Sequence, residues 1–160
     1  MKTILFVCTG NTCRSPMAAG ILKDLIEKSP PGDNSIEVKS AGLMVFEKGP
    51  AHPNAIKVTK DKGIDISDHT SQQLTLELME RADLILTMTQ SHRDQIIIVE
   101  PKYKDKVYTL LEFIQEEGET ENVDIADPFG LSKEEYEKTA QQLTWAIEKA
   151  LPKIIRSEEH

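Results

Sequence analysis

Short apolar runs alternate along the chain with stretches whose apolar positions recur at helical spacing. Ile4-Leu5-Phe6-Val7 reads as a buried strand. From Met17 to Lys28 the residues Met17, Ile21, Leu22, Leu25 and Ile26 fall on one helical stripe facing a core. Ser29 to Asn34, with Pro30-Pro31-Gly32 inside it, is a turn. Ile36-Glu37-Val38 alternates and reads as a second strand. Pro53 opens a helix that runs to Lys62 and is closed by Gly63. Leu74 to Arg81 is a short helix. Ala82 to Met88 is a third strand, apolar for most of its length as a central parallel strand should be. Thr89 to Ile98 is a helix stopped by Pro101, and Lys106 to Leu110 is a fourth strand.

Leu111 to Gln115 reads as a helical turn, and the acidic, glycine-containing stretch from Glu116 to Asn122 as a solvated loop. Ser132 and Glu135 form a capping-box pattern for a last helix through Tyr136, Leu143, Ile147 and Leu151. Trp145 falls at its edge, Pro152 interrupts its C-terminal end, and Ser157 to His160 is a frayed tail. Four strands alternating with helices predict an α/β domain over residues 1–160, with a four-stranded parallel sheet covered by helices on both faces. Ligands on such sheets sit beyond the C-terminal ends of the strands.

One stretch lies at such an end: Cys8-Thr9-Gly10-Asn11-Thr12-Cys13-Arg14-Ser15. It joins the first strand to the first helix. Ser15 suits the N-cap of that helix and Pro16 its first position. Free backbone N–H groups and the positive end of a helix dipole make this a place for anions, phosphate above all. Gly10 and Asn11 tolerate the left-handed backbone that a tightly curled loop needs. A thiol at the base of such a loop, beside a guanidinium, is favoured as the thiolate. A thiolate is a competent nucleophile toward phosphorus. The planar fork of Arg14 can hold two phosphate oxygens at once. A buried structural cysteine and a surface arginine at a chance spacing is the competing reading. The strand before, Gly-Asn inside and Ser-Pro after make it the weaker one.

Composition narrows the classes. The chain has 160 residues, 39% of them hydrophobic, enough for the core of one compact domain. No apolar run approaches the length of a membrane span, and strand residues begin at Thr3, so no membrane association and no signal peptide are expected. Two cysteines five apart on one loop are no disulfide framework, and a reducing, cytoplasmic setting is expected. The net charge of −8 argues against a nucleic-acid partner. A phosphate must then be drawn in by a local field. The histidines His52, His69, His92 and His160 show no ligand spacing, so neither metal nor cofactor is expected.

The run Val7-Cys8-Thr9-Gly10-Asn11-Thr12-Cys13-Arg14-Ser15-Pro16 resembles the signature of the low-molecular-weight protein tyrosine phosphatase family, and the resemblance extends over nearly the whole chain. Within that family it is most similar to the bacterial protein arginine phosphatases. The resemblance implies that Cys8 is the nucleophile, with Arg14 and the loop Thr9, Gly10, Asn11, Thr12, Cys13 and Ser15 holding phosphate. It implies that Ser40, in Ser40-Ala41-Gly42, and His69 support the loop, with His69 hydrogen-bonded to Ser40, Ser15 and Asn11. It places the Leu43–Pro50 loop, with Met44, Val45 and Phe46, on the active-site rim, although these side chains could equally pack on the body of the domain.

Asp127-Pro128 is the second chemical element. Transfer of a phosphoryl group to Cys8 needs the leaving group protonated, and a carboxylic acid must reach it. Read alone, Asp127-Pro128 is a turn; the resemblance makes Asp127 the general acid. Asp124 is the other nearby carboxylate and lacks the proline. Tyrosine-directed members usually carry a larger aliphatic residue where this chain has Thr12, and aromatic residues after the Asp-Pro pair, where it has Phe129-Gly130. Thr12 would narrow the pocket and favour a slender guanidino group over a phenol ring, and Phe129 would contact substrate.

The implied activity is hydrolysis of phosphoarginine in proteins through a phosphocysteine. The implied partners are phosphorylated proteins, with the chain acting as a monomer, and a stress pathway is suggested. Cys13 is either a small buried filler or the partner of a protective disulfide with Cys8. A tyrosine phosphatase of the same fold and a catalytically silent phosphoprotein-binding module remain as alternatives. Arsenate reductase chemistry needs further cysteines downstream, and this chain has none after Cys13.

Overall fold

The computed structural model describes residues 2–29, 35–115 and 122–156. The turn expected over 30–34, the acidic loop over 116–121 and the tail at 157–160 lie outside the described residues. Four strands, β1 (Lys2–Cys8), β2 (Ile36–Gly42), β3 (Leu84–Thr87) and β4 (Val107–Thr109), form one parallel sheet in the order β2-β1-β3-β4. The helices are α1 (Arg14–Lys28), α2 (Pro53–Lys60), α3 (Leu76–Arg81), α4 (Gln90–Val99), α5 (Leu110–Ile114) and α6 (Lys133–Arg156).

The strict alternation of a strand sorts β1 onto two cores. Ile4 and Phe6 point to the face covered by α1, α2, α5 and α6, where they meet Met17, Ile21, Leu22, Ala55, Tyr136, Leu143 and Ile147. Leu5 and Val7 point to the other face and pack with Met79 of α3 and Ile96 of α4. All four are fully buried. Each such side chain contributes about 1.5–3 kcal/mol on removal from water. Cys8 keeps the phase of Ile4 and Phe6, so the sheet sets which way the thiol points.

The chain leaves β1 toward β2 on one side and returns with β3 on the other. The C-terminal end of β1 is therefore the point where the topology switches, the place where a doubly wound sheet opens a crevice. Cys8 sits there, in register with Gly42 of β2.

Several local expectations need correction. The first helix begins at Arg14 with Cys13 at its N-cap and no side-chain cap bond, so Ser15 does not cap it. The Ser15 hydroxyl is engaged below the phosphate loop instead. Asn11 has φ +57°, but Gly10 is not left-handed, so the curl needs one such residue there and not two. Pro152 does not interrupt α6, which continues through it to Arg156. Buried Ala150 and Ile154 hold the last turns on the core despite the lost N–H. The helix after Pro53 ends at Lys60, with Gly63 at φ +81° two residues past the capping Asp61.

Candidate active site

Cys8 lies at the bottom of a cavity of about 340 Å³. Its walls are Thr9, Gly10, Thr12, Cys13 and Arg14 from the loop, Met44 and Phe46 from the segment after β2, and Asp127 and Phe129 from the segment before α6. The nucleophile, the cation and the acid expected from the sequence thus meet in one place. Met44 and Phe46 stand out at the mouth, Phe46 with 91% of its surface exposed, which puts the loop after β2 on the rim.

Beneath the loop, Asn11 is fully buried and its side chain is fully used. Its Nδ2 donates to Ser15 Oγ at 2.7 Å and to Ser40 Oγ at 2.9 Å. Its Oδ1 accepts from the Gln72 backbone N–H at 2.9 Å. Because Ser15 Oγ accepts from Asn11, its own hydrogen is free to point at Cys8 Sγ, 2.9 Å away. That bond fixes the direction in which the Cys8 sulfur faces.

His69 bonds through Nε2 to the Asn11 carbonyl at 2.8 Å. The carbonyl can only accept, so His69 carries its proton there. Burial holds the His69 ring below the usual imidazole range. The expected direct bonds from His69 to Ser15 and Ser40 are not made. Asn11 makes both, and His69 acts on it from the backbone side. Ser40 thus meets the loop through Asn11 Nδ2 and His69 through the Asn11 carbonyl.

The segment after β2 clamps the loop from outside. Leu43 N–H donates to Cys8 O at 3.0 Å and Met44 N–H to Thr9 O at 2.9 Å. Gly42 is the required residue at this crossing. A Cβ there would lie 2.7 Å from Thr9 O and 3.0 Å from Asn11 N, both backbone atoms.

Arg14 is only 4% exposed. Nη1 donates to Ile125 O at 2.8 Å, and Nη2 lies 3.5 Å from Asp127 Oδ2. The segment carrying Asp127 is anchored by Ile125, whose N–H donates to Met88 O at 2.8 Å, and by buried Pro128. Asp127 itself is half exposed, with Oδ1 accepting from Phe129 N–H at 3.1 Å. Leu131 N–H closes a turn onto Pro128 O, with Gly130 at φ +81° supplying the left-handed position. Asp124 is accounted for differently: its Oδ1 accepts from Gln90 N–H at 2.8 Å and braces the start of α4. It is committed there and not at the cavity.

Sequence patterning did not single out four residues that shape the site. His92, 5% exposed, lies in the first turn of α4 and bonds through Nε2 to Thr9 Oγ1 at 2.9 Å. Burial first, and then the Arg14 charge, push its ring down to about 4, against the opposing pull of Asp124 and Asp127. Tyr136, fully buried, bonds through its hydroxyl to Cys13 Sγ at 3.3 Å, and burial raises both groups. Gln72 adds a bond from Nε2 to Ser40 O at 3.0 Å. His52 donates its backbone N–H to Thr12 O at 2.8 Å. None of these carries a local pattern; each is a neighbour only through the fold. Cys8 and Cys13 are both free thiols.

The comparisons agree with this geometry. The family model described as low molecular weight phosphotyrosine protein phosphatase matches residues 3–159. The chain belongs to that family. Among its relatives is a protein-arginine-phosphatase of Bacillus subtilis, 43% identical over 140 residues and covering 88% of each chain. Another is a probable low molecular weight protein-tyrosine-phosphatase, EpsP, of Ralstonia solanacearum, 38% identical over 96% of this chain and 97% of the other. The fold matches that of the YwlE arginine phosphatase from Geobacillus stearothermophilus, with a TM-score of 0.86 at 41% identity over 100% of this chain and 97% of that one. A YwlE arginine phosphatase mutant with a phosphorylated active-site serine matches at a TM-score of 0.85 and 39% identity over 95% of each chain. The family match thus spans residues 3–159, a range that contains both the Cys8 loop and the segment carrying Asp127.

Proposed function

We propose that this family member is a protein phosphatase that hydrolyses phosphoarginine through a phosphocysteine on Cys8. The observation that carries the chemistry is the convergence of Cys8, Arg14 and Asp127 on one cavity, with Arg14 and Asp127 3.5 Å apart. In the first step Cys8 Sγ attacks phosphorus in line. The bond from phosphorus to the guanidino nitrogen breaks, and Asp127 gives that nitrogen its proton. Arg14 and the backbone N–H groups from Thr9 to Ser15 hold the three remaining oxygens, the largest contribution to lowering the barrier. In the second step water attacks the phosphocysteine, Asp127 takes the proton, and inorganic phosphate leaves with Cys8 restored as thiolate. Neither step calls for a metal.

Support for arginine over tyrosine comes from Thr12 in the cavity wall and from the identity to arginine-directed relatives. The reading extends to phosphorylated proteins as partners, a monomeric chain in the cytoplasm, and a stress-linked role; Cys13 is either a small buried filler or, with a peroxide accepting the two electrons and two protons of the thiols, the partner of a protective disulfide with Cys8. For that bond Cys13 must first leave Tyr136. The test is turnover of a phosphoarginine peptide against a phosphotyrosine peptide, by the parent and by Thr12→Ile. Preference for phosphoarginine, eroded in the variant, supports the assignment. Preference for phosphotyrosine keeps the mechanism and overturns the substrate. Turnover of neither would favour a binding module.

A further inference from the structure

His52 stands outside the chemistry described so far, yet four of its contacts converge on it. Its backbone N–H donates to Thr12 O at 2.8 Å, which ties it to the phosphate loop. Its Nδ1 accepts from Asn54 N–H at 3.0 Å, which caps α2 and fixes the ring orientation. The ring stacks on Tyr136, with centroids 4.9 Å apart and planes 22° from parallel. It also meets Phe129 edge-on, at 5.9 Å and 80°. Phe129 is otherwise exposed, 64% of its surface reaching solvent. Its N–H is the group that holds Asp127 Oδ1.

We propose that His52 is a positioning residue: its ring, fixed by the α2 cap and the Tyr136 stack, holds Phe129 and so places the Asp127 carboxyl for proton transfer. Pro128 and Ile125 anchor the segment on its N-terminal side, but past Pro128 the turn reaches solvent with Gly130 at its tip. The His52 ring gives that side of the turn an aromatic footing. Edge-to-face pairs of this kind stabilise beyond area burial, enough to shift the occupancy of a turn severalfold. The bond from His52 N–H to Thr12 O adds a second tie between the acid's turn and the phosphate loop, beside the Arg14 contacts to Ile125 O and Asp127 Oδ2.

The inference rests on Asp127 being the acid, and the experiment separates the two. The ratio of kcat/KM for a reactive ester, nitrophenyl phosphate, to that for a poor one, phenyl phosphate, reads how well the leaving group is protonated. Asp127→Asn should widen that ratio by about a hundredfold or more, the usual contribution of a general acid. His52→Asn keeps a capping side chain for α2 and removes the ring. It should cost about tenfold on phenyl phosphate and on phosphoarginine, and under threefold on nitrophenyl phosphate. His52→Phe keeps a ring and loses the cap; it should be less stable yet keep the parent's ratio. A simple packing role would lower both substrates together, so equal losses in His52→Asn, or a ratio widened equally in His52→Phe, would overturn the proposal. An unchanged ratio in Asp127→Asn would overturn the acid assignment instead.

Discussion

Acidification should destabilise this protein in large part through one ring. His92 is buried beside Arg14 and sits in the first turn of α4, where the helix dipole also opposes a positive charge. In the folded state its ring is held down to about 4, against 6.5 for an ordinary histidine. Between those values the unfolded chain binds a proton that the folded chain refuses. Stability therefore falls as pH drops through about 6.5 and levels off below about 4; above 6.5 both states are neutral and the ring contributes nothing. The full fall corresponds to about 3 kcal/mol, a large share of the 5–15 kcal/mol typical of a domain. His69 is displaced in the same direction, so the raw pH profile mixes the two. The difference between the parent and His92→Gln isolates the first, since glutamine keeps a polar group for Thr9 and cannot titrate. Urea unfolding of both from about pH 7 to about pH 4 is the assay. The parent should lose about 3 kcal/mol more than the variant, at a slope approaching 1.4 kcal/mol per pH unit inside the window. Parallel curves, or an NMR titration of the His92 ring near 6.5, would refute the reasoning.

Gly42→Ala should cost about 1–3 kcal/mol, because the added Cβ meets loop backbone that cannot step aside. It should also cut kcat/KM at least about tenfold; parent-like turnover would show that the loop tolerates the displacement. Thr109 and Glu112 form a reciprocal capping box on α5, with bonds of 3.0 and 2.9 Å. Thr109→Ala should lower stability by about 1 kcal/mol in urea unfolding and leave kcat/KM unchanged, since the box lies away from the cavity.

What could be read from the sequence follows the range of the physics involved. The apolar run Ile4–Val7 and the stripe from Met17 to Ile26 encode the sheet and its first helix locally, and both stand where the pattern places them. Cys8, Arg14 and Asp127 could be named because loop chemistry and a family resemblance carry them. The helix α1 starts at Arg14 and not after Ser15: capping chemistry is a local rule. A tertiary demand, the bond to Cys8 and Asn11, overrides it here. The Thr109-Leu110-Leu111-Glu112 box was legible by the same local rule and lay just outside the turn expected from Leu111. His92, Tyr136, Gln72 and His52 had no such signal. Their partners lie 83, 123, 32 and 77 positions away, Thr9, Cys13, Ser40 and Phe129 respectively, and only the sheet order brings them together.

The central claim is that phosphate passes from a guanidino nitrogen to Cys8. Acid quenching of the protein within the first turnover of a phosphoarginine peptide, followed by peptide mass analysis, tests it directly. The account predicts one phosphoryl group on the peptide containing Cys8, absent when the peptide substrate is unphosphorylated and absent in Cys8→Ala. Turnover of the peptide with no phosphorylated Cys8 at any quench time, and with Cys8→Ala still active, would contradict it.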